Sequence, residues 1–176
     1  MKKIILLVLL TLFALQFNAQ NNKNYPTPFS AHQSLTNYDT LIDSRDGEVY
    51  LIVRIGNQDW MAENLRYNKK RSWLNAENLT KKYGRLYDWK SIMNKDEKDK
   101  NICPKGWHVP SDKEWRLLEL NLGMSLKESK KLNMWRGTNQ GDQMKSKLDW
   151  PQNGHKKNES GFNVLPAGHC TLSGVF

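Results

Sequence analysis

An α+β domain, with antiparallel strands ahead of two short helices, is what this sequence predicts. Three observations carry the prediction. A β-branched run at residues 48–55 stands between two turn signals. Two Ser-x-x-Glu strings, at Ser111 and Ser125, each open a pattern of apolar residues at helical spacing. A last extended stretch, residues 161–168, follows the helices, so the order does not alternate as a parallel βαβ array would.

Taken in order, Asp43-Ser44-Arg45-Asp46-Gly47 is a turn. Glu48-Val49-Tyr50-Leu51-Ile52-Val53-Arg54-Ile55 is the strand after it, Gly56-Asn57 a second turn, and Gln58-Asp59-Trp60-Met61-Ala62 the returning strand. The Asp43/Asp46 pair has too few oxygen ligands in the right order for a calcium loop and reads as a plain hairpin turn. Tyr83 to Trp89 is aromatic-rich and expected to be extended, and residues 91–100 read as a short helix or loop. Residues 102–110 are extended and punctuated by Pro104, Gly106 and Pro110. Ser111 and Glu114 then form a capping box. Trp115, Leu118 and Leu122 fall on one face of its helix, with Leu117 beside it, and Gly123 stops it. The box at Ser125 and Glu128 predicts a second helix carrying Leu126, Leu132 and Trp135 and ending near Gly137.

Residues 1–20 have the form of a cleavable secretion signal: Lys2 and Lys3, an apolar stretch over residues 4–15, and Ala19 before the cut. That stretch is short for a bilayer span. Residues 21–40 are polar, carry Pro26 and Pro28, and read as a linker. The folded domain is expected over residues 41–176, in a secreted, periplasmic or cell-surface protein.

The net charge is +9, and +7 without Lys2 and Lys3. Basic pairs are scattered and acids stand between them, which argues against a nucleic-acid face. A solvated basic surface with weak attraction to anionic lipids or acidic polysaccharides is the alternative. The four histidines match no zinc spacing, and no metal or cofactor is expected. Cys103 and Cys170 are the two cysteines. An oxidising compartment would permit a bond between them, worth about 4 kcal/mol if the geometry fits.

Several strings then fall in a familiar order. They are Asp46-Gly47 with Tyr50, Ile55-Gly56-Asn57-Gln58-Asp59-Trp60-Met61-Ala62-Glu63-Asn64-Leu65, and Tyr83-Gly84-Arg85-Leu86-Tyr87-Asp88-Trp89. After them come Cys103-Pro104-Lys105-Gly106-Trp107-His108-Val109-Pro110-Ser111-Asp112-Lys113-Glu114-Trp115 and Gly161-Phe162-Asn163-Val164-Leu165-Pro166-Ala167-Gly168. On these strings residues 40–176 resemble the Fibrobacter succinogenes major paralogous (FISUMP) domain. The resemblance implies a bacterial surface-associated or secreted protein of undefined biochemical role. It also implies a C-type-lectin-like fold, similar to the group with the formylglycine-generating enzymes. The active-site cysteine pair of those enzymes has no counterpart here, and the Glu-Pro-Asn and Gln-Pro-Asp strings of calcium-dependent lectins are absent.

Members of the family usually continue beyond the Leu-Pro-Ala-Gly string into a last strand. The chain is accordingly expected to be an incomplete copy with an uncovered sheet edge. The family partner of Cys103 would sit in that strand, so a Cys103–Cys170 bond stays an open alternative. Trp60, Trp89, Trp107 and Trp115 lie in family strings and are assigned to the core. Trp73, Trp135 and Trp150 are the candidate ligand contacts. Glu63 and Glu114 are weighed as an acid/base pair, but Glu114 is explained by capping and Glu63 by a strand end. The expected function is a non-catalytic binding module for glycans or envelope proteins, or else a structural part of a surface assembly or a non-functional truncated paralogue.

Overall fold

The computed structural model describes residues 2–3, 37–75, 81–93, 102–132, 134–150 and 157–171. The remainder of the expected signal, most of the linker, and the apolar end Gly174-Val175-Phe176 lie outside the described residues.

The largest sheet has the strand order β1-β4-β3-β2: β1 Lys2–Lys3, β2 Asp39–Ile42, β3 Val49–Ile55 and β4 Gln58–Met61. β2 and β3 are antiparallel, with Asp39 opposite Ile52 and Ile42 opposite Val49. β3 and β4 are antiparallel across the Gly56-Asn57 turn, with Ile52 opposite Met61 and Ile55 opposite Gln58. The two backbone positions of β1 run parallel to Gln58 and Asp59. β2 therefore starts at Asp39, two residues before the expected domain boundary, and Leu41 within it is buried with its strand held by β3.

The β2–β3 turn is plain, as expected. Asp43 is fully buried, and its carboxylate accepts from the Arg45 guanidinium (Nη2–Oδ2 2.6 Å) and the Arg45 amide. Arg45 Nη1 donates to the Ile102 carbonyl at 2.9 Å. One guanidinium thus ties the first hairpin to the segment carrying Cys103.

A second, two-stranded sheet pairs β5 (Ser72–Trp73) with β6 (Leu86–Tyr87), so Tyr83 to Trp89 is only briefly extended. A 3₁₀ turn over Lys81–Tyr83 precedes β6, and α1 (Trp89–Met93) follows it. The core joins both sheets to the segments that follow: Tyr50, Ile52, Trp60, Met61, Leu65, Tyr87, Ile102, Trp107, Leu118 and Phe162 are all buried in one cluster.

α2 (Asp112–Asn121) starts as its sequence dictates. The Ser111 hydroxyl accepts from the Glu114 amide, and the Glu114 carboxylate accepts from the Ser111 amide at 3.0 Å. At its end the Met124 amide donates to the Glu119 carbonyl and the Gly123 amide to the Leu120 carbonyl. That is the Schellman closure. Leu118 and Leu122 are buried, and Leu117 lies toward solvent.

The second helix departs from expectation. α3 spans only Leu126–Ser129. The Ser125 hydroxyl accepts from the Glu128 amide, but the Glu128 carboxylate turns to the Lys131 ammonium and the Gly137 amide instead of the cap. Leu126, Leu132 and Trp135 are exposed. α4 (Gln140–Met144) follows. The last expected strand shrinks to one parallel bridge between Lys145 and Val164, because the chain around it is spent on turns at Asn158 and Asn163.

Candidate functional site

The tryptophans divide by what covers them. Trp60 is fully buried and packs against Trp115 (centroids 5.2 Å apart) and Phe162 (5.4 Å). These three rings join β4, α2 and the 161–168 string, and tilted contacts of this kind add to area burial. Trp107 is buried, and Trp115 is partly buried against the core. Trp89 breaks the expectation: it opens α1 and is 70% exposed. The family string around it is anchored by Tyr87 and by Asp88, whose carboxylate caps α1 at the Ser91 amide, so the ring itself is free to face water.

The three candidate contacts lie on three separate segments. Trp73 sits on β5 and is 43% exposed; Trp135 lies beyond α3 and is completely exposed. Trp150 is different: its indole Nε1 donates to the Val164 carbonyl at 2.7 Å, and the Lys145 ammonium stands over its ring. It latches the 145–150 segment to the 161–168 string, and its half-buried face is a weaker contact surface.

The carboxylates weighed for chemistry are occupied by structure. Glu63 accepts from the Leu51 amide at 2.6 Å and from Arg66 at 3.1 Å. Arg66 is largely covered, with its guanidinium over the Tyr50 ring, and also holds Glu48 at 2.8 Å, so the cluster locks the start of β3 to the chain after β4. Glu114 accepts from the Ser111 hydroxyl at 2.6 Å and lies 3.2 Å from His108 Nε2. Burial pushes its carboxyl up, but the Ser111 hydroxyl and amide and His108 together outweigh that and hold it below the ordinary glutamate value.

Cys103 and Cys170 are not joined by a disulfide. Cys103 lies in the core, and burial pushes its thiol far above the ordinary range. Cys170 is half-buried near the end of the described chain. Among the described residues no group of three or more His, Cys, Asp or Glu side chains is gathered for a metal ion, and no helix is long and apolar enough to cross a membrane.

The most exposed apolar segment was not legible as such. Leu126, Leu132, Met134 and Trp135 are each at least 59% exposed. Leu126, Leu132 and Trp135 have helical spacing in the sequence, and of these Trp135 alone is expected at the surface. The contrary signal was the basic interleaving of Lys127, Lys130, Lys131 and Arg136.

Fold and side chains together define a small α+β domain whose aromatic core is closed and whose conspicuous remaining feature is a set of exposed tryptophans. The chain belongs to the Fibrobacter succinogenes major domain family, which it matches over residues 53–176. No curated protein and no solved structure matches it.

Proposed function

We propose that this protein is an exported, non-catalytic interaction module that engages glycans or envelope proteins through exposed tryptophans. The observation that carries the reading is Trp135, wholly exposed, together with Trp73. A bare indole is a large apolar surface held in water, and such residues gain most when a partner covers them. Export rests on Lys2-Lys3 and the apolar stretch after them.

The absence of catalysis is supported by how the reactive groups are used. Glu63 and Glu114 are committed to backbone amides, and the Cys103 thiol is buried away from any substrate. We also read the fold as C-type-lectin-like. The support is the Trp107-His108-Val109-Pro110 string leading into a helix opened by Ser111 and Glu114 beside a small antiparallel sheet.

The test is a glycan array and an envelope pull-down with the native chain, Trp73→Ala and Trp135→Ala. Capture of a defined glycan or envelope protein, weakened about tenfold by either substitution, is expected. Native-like capture by both variants would remove the tryptophans from the interface. Stoichiometric co-assembly with one surface protein, indifferent to glycans, would favour a structural role.

A further inference from the structure

The segment between α3 and α4 is a closed loop with a greasy tip. Its base is stapled twice. Glu128 binds the Lys131 ammonium at 2.9 Å and the Gly137 amide at 3.1 Å. Arg136 binds Glu119 at 2.9 Å and the Lys131 carbonyl at 3.3 Å. Ser129, just before the loop, is buried, and so is Met124, just before α3. The loop therefore cannot fold its apolar residues inward without breaking charged contacts. Leu132 and Met134 are left 64% and 62% exposed, and Trp135 wholly so.

Around that tip the charge is mainly positive, although Lys131 is paired with Glu128 and Arg136 with Glu119 and Asp112. Lys127, Lys130 and Lys131 are exposed, and Glu128 is the sole acid between Leu126 and Arg136. Indole and leucine at a tip, with lysines set back around them, match the layering of an anionic membrane surface: acyl boundary, headgroup, phosphate.

We propose that residues 126–132 and 134–136 dock on the surface of an anionic phospholipid bilayer, with Leu132, Met134 and Trp135 entering the headgroup boundary and the lysines meeting phosphate. This gives the interaction module a second, lipid contact and rests on that reading only in needing Trp135 at an interface. Failure to capture a glycan or protein leaves it standing, and its own failure leaves the module reading standing.

Amide hydrogen exchange of the full chain, read peptide by peptide, tests it. Vesicles rich in phosphatidylglycerol are expected to slow exchange across residues 126–137, less so at high salt, whereas phosphatidylcholine vesicles do not. A Leu132→Ser and Trp135→Ser double variant is expected to lose that protection and to need at least roughly tenfold more lipid for what remains. Native exchange in its α2 amides confirms that it is folded. Any contact made by residues 4–15 is the same in both chains and falls in a different peptide. Unchanged exchange in the loop, or equal protection by both vesicle types, overturns the proposal. So does protection that arises with rising protein concentration and no lipid, which would mark a self-association surface.

Discussion

Glu114 illustrates how one side chain can be spent entirely on structure. Its two oxygens serve the Ser111 amide, the Ser111 hydroxyl and His108, at the point where an extended stretch turns into α2. Glu114→Ala is expected to cost about 1–2 kcal/mol by opening the capping box. The pH dependence has a definite sign. The folded carboxyl titrates below its ordinary value of 4.5, so its stabilisation is complete above that pH and is lost as the pH falls through the folded value. Urea unfolding of the native and variant chains from neutral pH to about pH 3 should show a constant stability gap that narrows only below 4.5. A gap that stays wide in acid would mean the charge on Glu114 is irrelevant to the cap. This box was readable in the sequence because both of its partners lie within three residues of each other.

Among the elements, the legible ones are those fixed by local chemistry. The β3–β4 hairpin follows from a β-branched run and a Gly-Asn turn, and α2 from its cap and stop. The second helix was misread because its Glu128 had a choice. The same carboxylate that signals a capping box instead closes a loop on Lys131 and Gly137, contacts set by chain that comes later. Long-range fit is likewise hidden in the Tyr83 to Trp89 string. Asn64 donates to the Tyr83 carbonyl at 2.8 Å and the Arg85 amide to the Leu65 carbonyl at 2.9 Å, so two distant strings are pressed together. Gly84 sits at that contact with φ +68, and a Cβ there would stand 2.4 Å from the Asn64 Cβ. Gly106, in another string, has φ +89 but open space around it. Gly84→Ala is therefore expected to cost roughly 3 kcal/mol, from strain and overlap together, against about 1 kcal/mol for Gly106→Ala. Denaturant midpoints of the two variants decide the matter; equal losses would show that the Asn64 contact yields easily.

At the scale of the whole molecule, the question is which part of the chain the fold needs. The family match starts at residue 53, inside β3, yet β3 is paired along its length by β2 and by β4. The core cluster draws Leu41 from β2 and Tyr38 from just before it. The physical unit is thus wider than the matched segment on its N-terminal side, a point that strings of residues do not reveal, since Tyr38 and Leu41 carry no motif. Before residue 37, the described contribution is the two-residue strand β1, whose pairing with Gln58 and Asp59 adds backbone contact at the sheet edge. Among the described residues, every buried residue of the core cluster lies beyond it. A chain beginning at Asn21 is accordingly expected to melt within about 3 °C of the full chain, because two edge pairings weigh little against an intact core. Paired thermal melts measure this directly. A fall several times larger would make β1 a structural strand and would count against residues 1–20 being a segment the mature protein discards.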